Sequence, residues 1–164
     1  CKLGLSGQEL PHLHVFGNSA HPAPWEVAQL QAARACLGPR LVLHGQIPQL
    51  EMAKIVAQCR VLVAPSREEM FGNQIIEALL VGTPVIVTDN TAMAENVRRF
   101  GNGTVFAQEN APALTDAISA ALDDRPSTLD SRSIARERIS SYMGPCQVSQ
   151  RHRQVYETIL HECH

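Results

Sequence analysis

The stretch Arg60-Val61-Leu62-Val63-Ala64-Pro65, running directly into Ser66-Arg67-Glu68-Glu69-Met70-Phe71-Gly72-Asn73-Gln74-Ile75-Ile76-Glu77-Ala78-Leu79-Leu80-Val81-Gly82-Thr83-Pro84, decides how this chain folds. Its first six residues are short, apolar and branched, and they close on proline, the marks of a buried strand. Ile75, Ile76, Leu79 and Leu80 then recur at i, i+3, i+4 spacing. That spacing predicts a helix with one buried stripe, which Gly82 can end in a left-handed cap. Glu69 therefore falls in a strand-to-helix loop, and Glu77 on the helix within about two turns of its start.

Outward from this unit the same alternation continues. On the amino-terminal side, Leu13 to Phe16 reads as a strand ending at Gly17, Trp25 to Cys36 as an amphipathic helix stopped by Gly38-Pro39, Leu41 to Leu43 as a strand, and Leu50 to Cys59 as a helix. On the other side come a strand over Val85 to Val87, a helix over Ala92 to Arg99 and a short strand over Thr104 to Ala107. Three closing helices follow, over Ala113 to Leu122, Ser131 to Tyr142 and Gln147 to Leu160. Connections of helical length favour parallel strands with right-handed crossovers. The fold class expected is α/β: a doubly wound parallel sheet of Rossmann type, about five strands with helices on both faces. Residues 1–10 read as an unassigned remnant and 11–164 as a single Rossmann-like domain.

The bulk properties narrow the function classes. The chain has 164 residues, 45% of them hydrophobic and 18% charged, with a net charge of -2. That is the composition of a globular protein, and it offers no broad basic field for nucleic acid. No apolar stretch reaches transmembrane length, and the start Cys1-Lys2-Leu3-Gly4 is neither an initiator methionine nor a signal peptide. The chain reads as a fragment of a cytoplasmic protein, with peripheral placement at the inner membrane face open for the complete one. Five scattered cysteines without a Cys-x-x-Cys pair point to neither a disulfide framework nor a zinc site, and Cys36 and Cys59 read as small core residues.

The chemistry lies in the opening stretch. A helix start exposes unpaired N–H groups and the positive end of the macrodipole, so the amides around Phe71, Gly72 and Asn73 suit an anion such as a diphosphate. A carboxylate on either side of that anion suits a ligand with hydroxyls at both ends, because an ionised carboxylate accepts two hydrogen bonds from a vicinal diol. A nucleoside diphosphate sugar is such a ligand. Read more plainly, Ser66 and Glu69 also match capping-box spacing, and Glu77 is equally an exposed helix charge.

With Pro65-Ser66, Glu69, Phe71-Gly72, Glu77-Ala78 and Gly82-Thr83-Pro84-Val85 all at fixed spacings, the segment resembles the signature of glycosyltransferase family 4, and the likeness extends from about Leu13 to Phe106. The resemblance implies the carboxy-terminal, donor-binding half of a two-domain GT-B enzyme, a retaining and metal-independent glycosyltransferase in glycan biosynthesis. It implies that Glu69 is catalytic and contacts the transferred sugar, and that Glu77 holds the ribose. The amides of Phe71, Gly72, Asn73, Gln74 and Ile75 would hold the phosphates, and Gly17 and His44-Gly45 would bound the base or phosphates. It implies no cofactor beyond the nucleotide-sugar substrate, and a sugar or lipid-linked acceptor reached through an amino-terminal domain. Taken alone, such a fragment is expected to bind donor weakly and turn over nothing.

Several departures keep other readings open. The Arg and Lys that the family places ahead of its glycine turn have no counterpart, since Lys2 stands only fifteen positions before Gly17. Asn90-Thr91 replace the family's glycine pair ahead of Glu95. A non-catalytic nucleotide-sugar-binding or interaction domain is therefore the alternative, with a nucleotide-sugar epimerase of the same architecture as a third. His12-x-His14 has two imidazoles on one strand face but lacks a third ligand, and His161-Glu162-Cys163-His164 lies at a fraying end, so no metal site is read. Asp123-Asp124 reads as solvated surface, Ser66 has no nucleophile-elbow context, and Trp25 and Phe71 read as core or loop packing.

Overall fold

A computed structural model describes residues 11–17, 23–123 and 129–162. The elements in chain order are β1 (Leu13–Phe16), α1 (Pro24–Leu37), β2 (Leu41–Gly45), α2 (Gln49–Gln58), β3 (Leu62–Ala64), α3 (Asn73–Leu80), β4 (Val85–Thr88), α4 (Ala92–Phe100), β5 (Gly103–Phe106), α5 (Ala111–Asp123), α6 (Leu129–Met143) and α7 (Pro145–Glu162). A 3₁₀ turn over Gly38–Arg40 joins α1 to β2. Every strand pairing is parallel, and the architecture is α/β of Rossmann type. The strands pair as two sheets, β1–β2 and β3–β4–β5, rather than as the one five-stranded sheet expected from the sequence. The chain separates into two compact units, residues 1–54 and 55–164.

The second unit holds most of the buried core. Val85, Ile86, Val87 and Thr88 are all buried, as a central parallel strand covered on both faces requires. Alternation divides them: Ile86 joins Phe106 and Ala117 in a cluster with Leu114 and Ile118 of α5, while Val85 faces the Val97 side of α4. At Gly103, on β5, a Cβ would lie 2.6 Å from the Val85 carbonyl oxygen and 2.8 Å from a Val97 methyl. Glycine alone fits so close an approach of α4 and the sheet. Beyond these helices, α6, which buries Ala135 and Ile139, packs on α3 and α4, and α7 packs on α6. The Tyr142 ring lies against Phe100 and carries the guanidinium groups of Arg99 and Arg151 at 4.7 and 4.2 Å, linking α4, α6 and α7.

α3 ends as its glycine predicts. Gly82 stands at φ 86, its N–H donates to the Leu79 carbonyl, and the Thr83 N–H donates to that of Ala78 at 2.8 Å, the paired bonds of a Schellman motif. The Thr83 hydroxyl, itself buried, donates to the Val56 carbonyl at 2.8 Å and so fixes the end of α2. Two expectations about packing are corrected. Trp25 is 68% exposed, because no residue of α1 is buried, and Cys36 on the same helix is exposed as well. Cys59 is half-buried and donates its thiol to the Ile55 carbonyl; burial pushes that thiol's pKa up.

Candidate functional site

Three loops at the carboxyl ends of β3, β4 and β5 are tied together by their own side chains. The Thr88 hydroxyl donates to the Ser66 carbonyl at 2.6 Å, and the Asn90 and Gln108 side-chain amides both donate to the Arg67 carbonyl at 3.2 Å. Asp89 accepts from the Gln108 N–H at 2.9 Å. Glu69 forms a parallel bridge with Thr91, and the Ala92 N–H donates to the Glu69 carbonyl at 3.2 Å. The backbone of the Glu69 loop is thus fixed to the start of α4. Asn90, which stands where the resembled family has glycine, acts here as a strap.

After Phe71 the chain reverses at Gly72, whose φ of 58 and ψ of 55 lie in the left-handed region. The conformation favours glycine, and a Cβ there would stand 2.8 Å from the end of the Ile75 side chain and 3.1 Å from that of Met93, so those side chains would have to shift. The reversal brings the Glu69 carboxylate back to the helix start. The Gly72 N–H donates to Glu69 Oε1 at 3.1 Å, and Gln74 Nε2 to Oε2 at 3.2 Å. Because α3 opens at Asn73 with Gly72 as its N-cap, the Ser66 to Glu69 spacing does not form a capping box on this helix.

The helix-start amides divide into two groups. Those of Ile75 and Ile76 return to the Gly72 carbonyl at 2.9 and 3.3 Å, and that of Gly72 is held by Glu69. The N–H groups of Phe71, Asn73 and Gln74 have no acceptor among the described residues. Ile75 is fully buried and offers a site nothing but backbone, while Phe71 is 60% exposed rather than packed away. Glu77 is half-buried on the same helical face as Asn73 and Gln74, about 6 Å along the axis from Asn73. The structure therefore places the Glu69 carboxylate at the start of α3 beside the open amides, with Glu77 one turn further along the same helix.

In the first unit the Gly17 N–H donates to the Gly45 carbonyl at 2.8 Å. Both glycines have positive φ, and among the described residues no atom beyond the chain neighbours stands within 4 Å of where a side chain would begin. The β1–β2 register skips His44, whose ring lies between those of His14 and Phe16 at centroid distances of 5.1 and 4.7 Å. His14 Nδ1 and His44 Nε2 are 2.8 Å apart, so one ring must keep a lone pair for the other's proton. His14 thus turns to His44 rather than pairing with His12, whose ring centroid is 6.4 Å away. Among the described residues no group of three His, Cys, Asp or Glu is arranged to hold a metal ion.

Burial lowers the His14 pKa from its ordinary 6.5, and the neighbouring His44 and His12 lower it further. A histidine held neutral in the fold binds fewer protons than in the unfolded chain. Its contribution is therefore intact above pH 6.5 and falls away as the pH drops below it. Thermal melts should show a lower Tm on the acid side of neutrality for the wild type, and a shallower fall for His14→Phe. Parallel pH curves for the two would rule out this role for His14.

Some features carry no sequence signal. The Gln74 side chain reads from sequence as one more polar residue on a helix face. The loop after β5, where Arg67, Thr88, Phe106 and Gln108 line a cavity of about 240 Å³, was visible only in the rule that ligands gather at strand carboxyl ends. Glu95 is exposed in the first turn of α4, and Asp123 is exposed. Asp124, Cys163 and His164, with the side chain of Glu162, lie outside the described residues.

Known proteins share this architecture. A family model described as Glycosyl transferases group 1 matches residues 5–124. The lipopolysaccharide core biosynthesis mannosyltransferase LpsB of Rhizobium meliloti (strain 1021) is 30% identical over 135 residues, which are 79% of this chain and 37% of that protein. The solved sucrose-phosphate synthase of Thermosynechococcus elongatus superposes with a TM-score of 0.71 at 27% identity, over 90% of this chain and 39% of that one. The Anabaena HepE structure in complex with UDP-glucose has the same fold, with a TM-score of 0.69 at 22% identity over 90% and 40%. The chain thus spans about two fifths of the length of the relatives that it matches.

Proposed function

Because this chain belongs to the Glycosyl transferases group 1 family, we propose that it is the donor-binding part of a retaining glycosyltransferase of family 4. The reaction is transfer of a sugar, hexosyl in class, from a nucleoside diphosphate donor to an acceptor hydroxyl, with no metal taking part. One observation carries this reading: the Glu69 carboxylate and the open amides of Phe71, Asn73 and Gln74 meet at one helix start, with Glu77 one turn further along that helix. Phosphate oxygens suit those amides and the positive end of α3. Glu77, further along the same face, accepts from the ribose hydroxyls, and Glu69 from the sugar hydroxyls.

Chemically the site works on charge. Negative charge grows on the departing diphosphate, and amide dipoles already aimed at it stabilise the transition state without reorganising. The names of the relatives support the substrate class, a mannosyltransferase in one case and a UDP-glucose complex in another. The acceptor, a sugar or a lipid-linked sugar, is assigned to the longer architecture that these relatives have. A cytoplasmic setting, with peripheral membrane contact through that architecture, agrees with the finding that no helix among the described residues is long and apolar enough to cross a membrane.

Thermal shift with UDP-glucose, GDP-mannose, UDP and GDP tests the reading. A ligand at about ten times its Kd adds ~1.4 kcal/mol and should lift Tm by roughly 3 to 6 °C. If no nucleotide or nucleotide sugar at millimolar concentration moves the Tm, the donor-binding reading falls.

A further inference from the structure

The Glu69 carboxylate is held at both oxygens by donors that differ in kind. One is the backbone N–H of Gly72, at 3.1 Å, which no substitution short of proline removes. The other, Gln74 Nε2 at 3.2 Å, is the one side-chain donor to that carboxylate among the described residues. An ionised carboxylate only accepts, so the Gln74 amide must turn its nitrogen, not its oxygen, toward Glu69. Ala92 and Thr91 fix the Glu69 backbone, which leaves the side-chain torsions to be set by what the carboxylate bonds. A single donor would leave the carboxylate free to pivot about that one hydrogen bond. Two donors on opposite oxygens restrict that pivot and leave each oxygen a further lone pair for another donor.

We infer that Gln74 is a positioning residue for Glu69: its side-chain amide sets the plane in which the carboxylate meets the hydroxyls of the transferred sugar. This rests on the sugar-transfer reading and adds a residue whose side chain need not touch the donor. The consequence is a split between binding and turnover. The nucleotide is held by amides and by Glu77, neither of which depends on the Gln74 side chain. The transferred sugar, positioned through Glu69, does depend on it.

The test uses the full-length protein with UDP-glucose and GDP-mannose as donors and UDP and GDP as sugar-free probes. Gln74→Leu, which keeps bulk but cannot donate, should lower kcat about tenfold while UDP and GDP bind within about twofold of wild type. Gln74→Glu places two carboxylates together, which share a proton at lower pH. It should be as impaired as Gln74→Leu near pH 8 and regain activity toward about pH 5.5, where the shared proton restores a donor. Gln74→Leu should show no such recovery. A Gln74→Leu enzyme as active as wild type overturns the inference, as does a parallel loss of nucleotide affinity, which would mark a collapsed helix start. A Gln74→Glu enzyme without acid recovery overturns it too. If the wild type neither binds nor uses any of these probes, the underlying sugar-transfer reading fails and takes this inference with it.

Discussion

Glu69→Gln in the full-length protein should cut sugar transfer about a hundredfold to a thousandfold, the range for losing one preorganised electrostatic group at a reacting centre. The substitution keeps shape and volume, and the loop remains anchored through backbone bonds that the side chain does not make: Ala92 N–H to the Glu69 carbonyl and the bridge to Thr91. What changes is the hydrogen-bonding character of the tip. A carboxylate offers two accepting oxygens, to Gly72 and Gln74 on one side and to a diol on the other. A carboxamide puts a donor where one of those oxygens stood: its oxygen can still accept from the Gly72 N–H, but Gln74 must then flip its amide to accept rather than donate, and only one acceptor is left to the sugar. Steady-state rates should fall in kcat. Calorimetric affinity for UDP or GDP, which carry no sugar, should stay within about twofold of wild type. Transfer at wild-type rates by this variant would remove Glu69 from the chemistry.

Much of this arrangement is legible in the sequence, because its causes are local. The strand over residues 62–64 is short, branched and closed by proline, the stripe of α3 has helical spacing, and Gly82 sits where a left-handed cap is needed. Each of these is decided within a few residues of itself. The spacing of Glu69, Gly72 and Glu77 is likewise local, so one helix start could be expected to carry all three.

What was not legible depends on partners distant in sequence. Nothing in the alternation of strands and helices says where a sheet divides, and the pairing into two sheets is a tertiary outcome. Trp25 and Cys36 read as packed because their helix pattern is apolar, yet α1 buries no residue. Asn90 reads as a loss of the family's glycine, whereas it reaches across 23 residues to hold the Arg67 carbonyl. His44 reads as a loop residue, yet the bulge in β2 inserts its ring between two side chains of β1. Gln74 is the sharpest case: only the backward turn at Gly72 brings its amide to a carboxylate five residues earlier.

The opposite behaviour is expected at the other carboxylate. Glu77→Ala should weaken UDP and UDP-glucose alike, by ~1 to 3 kcal/mol for loss of a charged acceptor, or roughly fivefold to 150-fold in Kd. The reason is position: Glu77 lies about 6 Å along α3 beyond Asn73, on the far side of the amides from Glu69, where the nucleoside rather than the transferred sugar would stand. Truncation there opens no core cavity, since α3 buries Ile75, Ala78 and Leu79 instead. Tm should therefore fall by less than for a truncation of Ile75 or Leu79, and a fall as large as theirs would assign Glu77 a structural role. The comparison of ligands is the stronger discriminator. If Glu77 holds the ribose, its removal costs the sugar-free nucleotide as much as the complete donor, so the ratio of their affinities stays fixed. Were Glu77 to contact the sugar instead, UDP affinity would survive and UDP-glucose affinity alone would drop, and the order of the two carboxylates along the donor would be reversed.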